Sequence, residues 1–319
     1  AAFLPLPLGR HVRVVKQTLA WAGSALLLVT LVHGLCRNTA LIQWLAGLSW
    51  LPKRPLLAAV LTHADVCAVL ALLFAGRRIT AGGDRSRDAR WQTVVNPLAW
   101  SAMAAGTLAV PSSLWVRDQA FGLNAGYLFA AAAAWLAAAV LYRRDEMAAV
   151  CHALATVGIG FLVAAYCHAQ SWGEDWWADP RHLQCQLTTL AAWGGAWSVG
   201  RRLLVGRQWP RQLLGPQWLM VNEAILSFVL LGVMILALTA CAPGVAVELG
   251  FSDTLTAGAT HGFSYAGGSW VCLTLLLAAL LAQLWNRLST EGAVELLVAA
   301  AAVPLLIAPH WEAADATAS

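Results

Sequence analysis

The sequence predicts an all-α, polytopic integral membrane protein. Hydrophobic residues make up 60% of its 319 residues, charged residues make up only 11%, and the mean hydropathy is +0.65. Runs of about 20 apolar residues, long enough to cross the hydrocarbon as a helix, recur along the chain. Alanine, leucine and tryptophan dominate these runs, which favours a helical bundle over the alternating strands of a membrane barrel.

About nine of these runs are predicted to be transmembrane helices within a single domain, residues 1–319. In chain order, the expected bounds are 17–36, 55–76, 94–116, 120–142, 147–169, 183–200, 217–241, 268–286 and 294–310. Each bound lies where a charged, polar or turn-forming segment interrupts the apolar run, because charged side chains are costly in hydrocarbon.

Arginine and lysine decide the predicted orientation, because cytoplasmic loops carry an excess of positive charge. Basic segments precede the first helix and follow the second, fourth, sixth and eighth helices, which places all of them on one side. They contain Arg10, Arg13 and Lys16; Arg77, Arg78, Arg85, Arg87 and Arg90; Arg143 and Arg144; Arg201, Arg202, Arg207 and Arg211; and Arg287. Lys53 and Arg54 are the only exception, because they lie in a loop on the opposite side. The amino terminus is therefore predicted inside and the carboxyl terminus outside, and the net charge of +4 indicates no nucleic-acid surface.

The segment between the fifth and sixth helices, residues 170–182, is predicted to lie at the outer membrane surface. It holds three tryptophans and four charges. Tryptophan is favoured at the headgroup level, and carboxylates are excluded from hydrocarbon. The segment is either an interfacial anchor or a ligand platform. In both cases Asp179 and Pro180 are typical of a helix N-cap and the first helical residue.

The histidines cluster on the predicted outer side. Six of the eight fall there: His33, His63, His168, His182, His261 and His310. Each one alone is typical of an interfacial residue bonded to water or to a backbone carbonyl. As a group they favour metal or heme ligation, because a neutral imidazole nitrogen is a good iron ligand.

Two acids fall inside predicted spans, where a charged carboxylate is expensive. Asp65 lies within one turn of His63, and the two are expected to form either a proton relay or a polar pair between helices. Glu223 lies beside Asn222 near the cytoplasmic interface, and a structural role is expected for it.

The tryptophan-rich segment resembles the W-G-x-x-W-x-W-D-P-K signature of the heme-handling proteins of cytochrome c biogenesis. The matching residues are Trp172-Gly173, Trp176 and Asp179-Pro180-Arg181. The similarity is greatest to the polytopic subunit of the system II cytochrome c synthetase. In the outer loop 242–268, the run from Gly258 to Tyr265 is similar to that family's histidine motif, with His261 as its histidine. Ala178 replaces the third tryptophan of the signature.

The resemblance implies heme delivery at the outer face of the bacterial inner membrane, with heme as cofactor. It also implies apocytochrome c and a heme-handling membrane subunit as partners. His261 and His168 would ligate the iron, and Arg181 would pair with a propionate. The full implied set of heme-binding residues is Trp172, Gly173, Trp176, Trp177, Asp179, Arg181, His261 and His168.

Two other classes stay open from the residues alone, and so does the question whether the protein is an enzyme. One is a transporter, or a transferase or ligase acting on a lipid-linked sugar at the outer face. Such an enzyme would use an outer cluster of acids and arginine, which the chain has at Glu174, Asp175, Asp179 and Arg181. The other is a noncatalytic membrane subunit of a larger complex, with tryptophans and small residues at helix contacts.

Several sequence signals are missing. The seven cysteines are scattered without a C-x-x-C pair, so the sequence indicates neither a zinc site, nor a redox dithiol, nor covalent heme attachment. It contains neither a phosphate-binding glycine loop nor G-x-S-x-G. The chain begins with Ala and shows no signal-peptide pattern, which is compatible with a piece of a longer polypeptide.

Overall fold

The structure, a computed structural model, describes most of the chain and is helical throughout the described part. The described residues are 8–37, 55–76, 90–114, 121–170, 180–204, 206, 208–241 and 267–287. Within them, helices α1 to α9 cover Leu8–Arg37, Pro55–Ala75, Asn96–Leu114, Phe121–Tyr142, Asp145–His168, Pro180–Leu204, Gln208–Leu213, Pro216–Cys241 and Gly267–Arg287. A π-helical turn, Trp91–Val95, leads directly into α3.

Six stretches of these helices are long and apolar enough to cross a membrane, which confirms the prediction of an all-α integral membrane protein. They are Val15–Gly34, Leu57–Ala75, Trp91–Val110, Phe121–Tyr142, Asp145–His168 and Pro216–Ile235. The count covers the described residues only. These six correspond to the first five predicted spans and the seventh.

The other three predicted spans have different outcomes. Helix α6 covers the sixth predicted span but is not among the six apolar stretches, because glutamines and arginines interrupt its hydrophobic residues. Helix α9 covers the eighth predicted span and contains a shorter apolar stretch, Val271–Gln283. The ninth predicted span, 294–310, lies outside the described residues.

Helix starts and ends follow local sequence rules. Pro180 and Pro216 are the first residues of α6 and α8, where the missing amide proton costs no intrahelical bond. The start of α6 at Pro180 agrees with the predicted Asp-Pro helix start. Gly76 ends α2 in the left-handed region with φ 51°, and its N–H donates to Leu72 O at 3.1 Å.

The helices form two compact units, residues 1–158 and 159–319, and α5 contributes to both. In unit 1, α1 to α4 pack through alanines, because small side chains let helix backbones approach closely. A Cβ on Gly106 of α3 would lie 3.6 Å from Ala131 Cα of α4. Tyr142 at the end of α4 donates to Asn96 Oδ1 at 2.9 Å.

In unit 2, α6 packs against both α8 and α9. Three glycines allow the close approach. A Cβ on Gly232 would overlap Leu187 Cδ2, and one on Gly194 would lie 2.7 Å from Leu226 Cδ2. Gly195 lies against Ala279 of α9, and a Cβ on Gly195 would lie 3.1 Å from Ala279 Cβ. This tight contact explains why α6 tolerates polar residues, since its neighbours in the bundle provide their partners.

Candidate functional site

The described part of the predicted heme site consists of the two helix ends that flank the tryptophan-rich segment. Helix α5 ends at His168, and α6 begins at Pro180. Trp172, Gly173, Trp176, Trp177 and Asp179 lie outside the described residues, and so does His261. His168 and Arg181 are described, and both are exposed.

His168 belongs to a regular helix terminus. Ala169 N–H donates to Ala165 O at 3.2 Å, and Gln170 N–H donates to Cys167 O at 3.1 Å. The neighbouring Cys167 is fully buried, so the helix presents one face to the unit interior and His168 to the outside.

His182, in the first turn of α6, has a different environment. It is half-buried, and its Nε2 lies 3.2 Å from Gln186 Nε2. Gln186 also donates to Gly160 O of α5 at 2.8 Å. Because the amide nitrogen of glutamine is only a donor, His182 accepts at Nε2. His182 therefore takes part in a contact that joins α5 to α6, whereas His168 is presented at the helix end.

A second group of polar side chains lies inside unit 2. Asn222 of α8 donates to Ser198 Oγ of α6 at 2.9 Å, and Ser198 lies 2.9 Å from Gln283 Oε1 of α9. Gln283 in turn donates to Glu223 Oε1 at 3.1 Å. Ser198, Asn222 and Gln283 are buried. We call these four residues the interhelical network; its members use one another as partners, as polar residues in membrane bundles commonly do.

Glu223, for which a structural role is expected, takes part in this network, where its Oε1 accepts from Gln283 Nε2. The pairing could not be found in the sequence, because the two residues are 60 positions apart.

A third group lines a cavity of about 700 Å³ in unit 1, between α1, α2 and α3. Its polar residues are Ser24, His63 and Ser101, all buried. The Ser24 hydroxyl donates to Ser101 Oγ at 2.8 Å, and His63 Nε2 lies 3.4 Å from Ser24 Oγ. Cys67 lies one turn along α2, with its Sγ 3.8 Å from His63 Nδ1.

The structure gives His63 partners other than Asp65. His63 contacts Ser24 and Cys67, while Asp65 Oδ1 is buried without a hydrogen-bond partner among the described residues. Two positions along a helix correspond to a rotation of about 200°, so the side chains of residues 63 and 65 point to different faces. Neither the proton relay nor the polar pair expected for His63 and Asp65 is formed.

Sequence reasoning missed Ser24 and Ser101. Both are small hydroxyl residues within apolar runs, where they resemble the small residues of any helix contact. Only His63 was visible as an unusual residue in its span. In the described part of the chain, no three histidines, cysteines or acids lie close enough to hold a metal ion together.

No family model, curated protein or solved structure matches this chain.

Proposed function

We propose that this protein handles heme at the outer membrane face for cytochrome c assembly. The observation that carries the proposal is the placement of His168 and Arg181. They stand, exposed, at the two helix ends that the tryptophan-rich segment joins. A histidine and a cation beside an aromatic segment form the set of side chains that an iron porphyrin with carboxylate groups requires.

Each of these residues would have its own role in binding heme. His168 and His261 would ligate the iron, and Trp172, Trp176 and Trp177 would provide apolar surface for the ring. Arg181 would pair with a propionate. Heme, when bound, supplies the vinyl groups to which an apocytochrome c presents its thiols. His182 is the weaker candidate for a ligand, because its Nε2 already accepts from Gln186.

The proposal includes the finer topology. Nine spans, an inner amino terminus and an outer carboxyl terminus would put both residues on the outside of the bacterial inner membrane. The basic segments support this orientation, because they fall on the predicted opposite side with Lys53 and Arg54 as the only exception. A heme-handling membrane subunit is the expected partner.

The test is the reduced absorption spectrum of His168→Ala in the full chain, purified with heme. We expect the reduced α and β bands to lose intensity and the Soret band to shift, because the iron would lose one nitrogen ligand. Leu162→Ala is the control and should leave the spectrum unchanged, since Leu162 is exposed on the same helix and offers no ligand to iron. Equal spectra for wild type, His168→Ala and Leu162→Ala would contradict the assignment of His168.

A further inference from the structure

The cavity in unit 1 has the volume and lining that are typical of a small-molecule binding site. Its volume of about 700 Å³ falls within the range of about 300–1,000 Å³ typical of small-molecule sites. Most of its wall is apolar, and three polar side chains converge on one part of it. This combination of an apolar wall with a few placed polar groups is what such sites share.

Two residues of the cavity wall are also exposed. Trp21 of α1 and Leu108 of α3 line the cavity and are 43% and 71% exposed. Both belong to helices long and apolar enough to span the membrane. We therefore expect a ligand of this cavity to be lipid-soluble.

The series of hydrogen bonds in the cavity wall ends at the Ser101 hydroxyl. The Ser24 hydroxyl has one proton and gives it to Ser101, so Ser24 Oγ is left to accept from His63 Nε2 at 3.4 Å or from Cys67 Sγ at 3.7 Å. The bonds then run in one direction, from His63 and Cys67 to Ser24 and on to Ser101. The Ser101 hydroxyl proton has no acceptor among the described residues, although Ser101 is only 9% exposed. A buried hydroxyl in this position requires an acceptor.

The charge of the wall restricts the ligand further. The described residues that line the cavity include no Lys, Arg, Asp or Glu. A carboxylate or phosphate would therefore be buried without a counter-charge, which is costly. This excludes phospholipid headgroups, fatty acids and propionate-bearing porphyrins. A neutral ring with a carbonyl oxygen meets all the conditions, and the Trp21 indole offers it an aromatic surface.

We propose that this cavity binds a lipid-soluble quinone, with one ring carbonyl accepting a hydrogen bond from Ser101. The site shares no residue with the proposed heme site, because its lining residues all belong to unit 1. The quinone proposal can therefore be tested independently of heme handling.

The test uses the full chain in lipid nanodiscs and a decyl-substituted benzoquinone carrying an azido group. Binding is measured by titration, and the attachment site by photolysis and peptide mass spectrometry. We expect saturable binding and labelling of α1, α2 or α3. Ser101→Ala should weaken binding about fivefold, as the loss of one neutral hydrogen bond predicts. Ser227→Ala, an exposed serine of α8, should leave binding unchanged.

A second variant pair tests the cavity without touching its polar groups. Ala104→Phe places a ring at the cavity, since Ala104 lines it and is exposed. Ala133→Phe adds the same ring to an exposed position of α4 that does not line it. We expect Ala104→Phe to reduce binding at least tenfold, because its ring would occupy part of the cavity. Ala133→Phe should leave binding unchanged. Absence of saturable binding, or labelling confined to unit 2, would overturn the proposal. So would equal binding by wild type, Ser101→Ala and Ala104→Phe.

Discussion

The two units use buried polar residues in opposite ways. In unit 2, Ser198, Asn222, Gln283 and Glu223 bond to one another between three closely packed helices. In unit 1, the bonds among His63, Ser24 and Ser101 run toward a cavity and end on a hydroxyl proton without a described acceptor. Buried polar side chains thus connect helices where they bond to one another, and line a cavity where the last hydroxyl has no described acceptor. The local packing differs, since glycines bring α6 against α8 and α9 in unit 2, whereas in unit 1 the polar side chains face the cavity between α1, α2 and α3.

The largest expected effect concerns the close packing of unit 2. Gly232→Val should destabilise the protein by about 3 kcal/mol, because the new side chain would overlap Leu187, whose side chain is fully buried and would have to be repacked. The midpoint of SDS-induced unfolding in mixed micelles measures the change. Gly126→Val, at a position of α4 with open space around a Cβ, is the control and should change stability little. Equal midpoints for the two variants would show that the close approach of α6 and α8 is not needed.

A smaller effect separates the closed network from the open one. Ser198→Ala removes bonds to Asn222 and Gln283 and should cost about 1–2 kcal/mol. Ser101→Ala removes one acceptor at a cavity wall and should cost less, about 0.5 kcal/mol. Unfolding midpoints of the two alanine variants, measured together without added ligand, provide the comparison. If Ser101→Ala were the more destabilising, the contrast between the two units would be wrong.

The smallest expected effect concerns Asp65. Its buried Oδ1 has no described partner, so Asp65→Asn should leave stability unchanged or raise it by up to about 1 kcal/mol. The same unfolding measurement applies, with Glu223→Ala as the contrasting variant, because that change leaves Gln283 Nε2 without its Glu223 acceptor and should destabilise the protein. A clear loss of stability in Asp65→Asn would indicate a bond from Asp65 that helps to hold unit 1 together.

Hydropathy predicted the helices well, and local sequence could not predict their contacts. The prediction 55–76 for the second span differs from Pro55–Ala75 by one residue, because a long apolar run between charged segments determines where a helix crosses the membrane. Partners depend on which helix faces meet. Ser24 and Ser101 are 77 positions apart, and their bond follows from the packing of α1 against α3. Asp65 was chosen as a partner of His63 by proximity in sequence, which is misleading in a helix.

At the predicted heme site, too, the helix bounds could be predicted from the sequence and the contacts between helices could not. A helix start at Pro180 and a helix end near His168 followed from the composition of the segment between them. The different environments of His168 and His182 did not, because the bond from Gln186 to His182 also needs the position of α5.

The most direct test of heme handling is the heme content of the full chain, purified in detergent from cells that supply heme. A pyridine hemochrome assay and an absorption spectrum, oxidised and then dithionite-reduced, measure it. We expect heme in stoichiometric amount, with a Soret band and sharp reduced α and β bands. A colourless protein that also fails to take up added heme would contradict the proposal, and would leave the tryptophan-rich segment as an interfacial anchor.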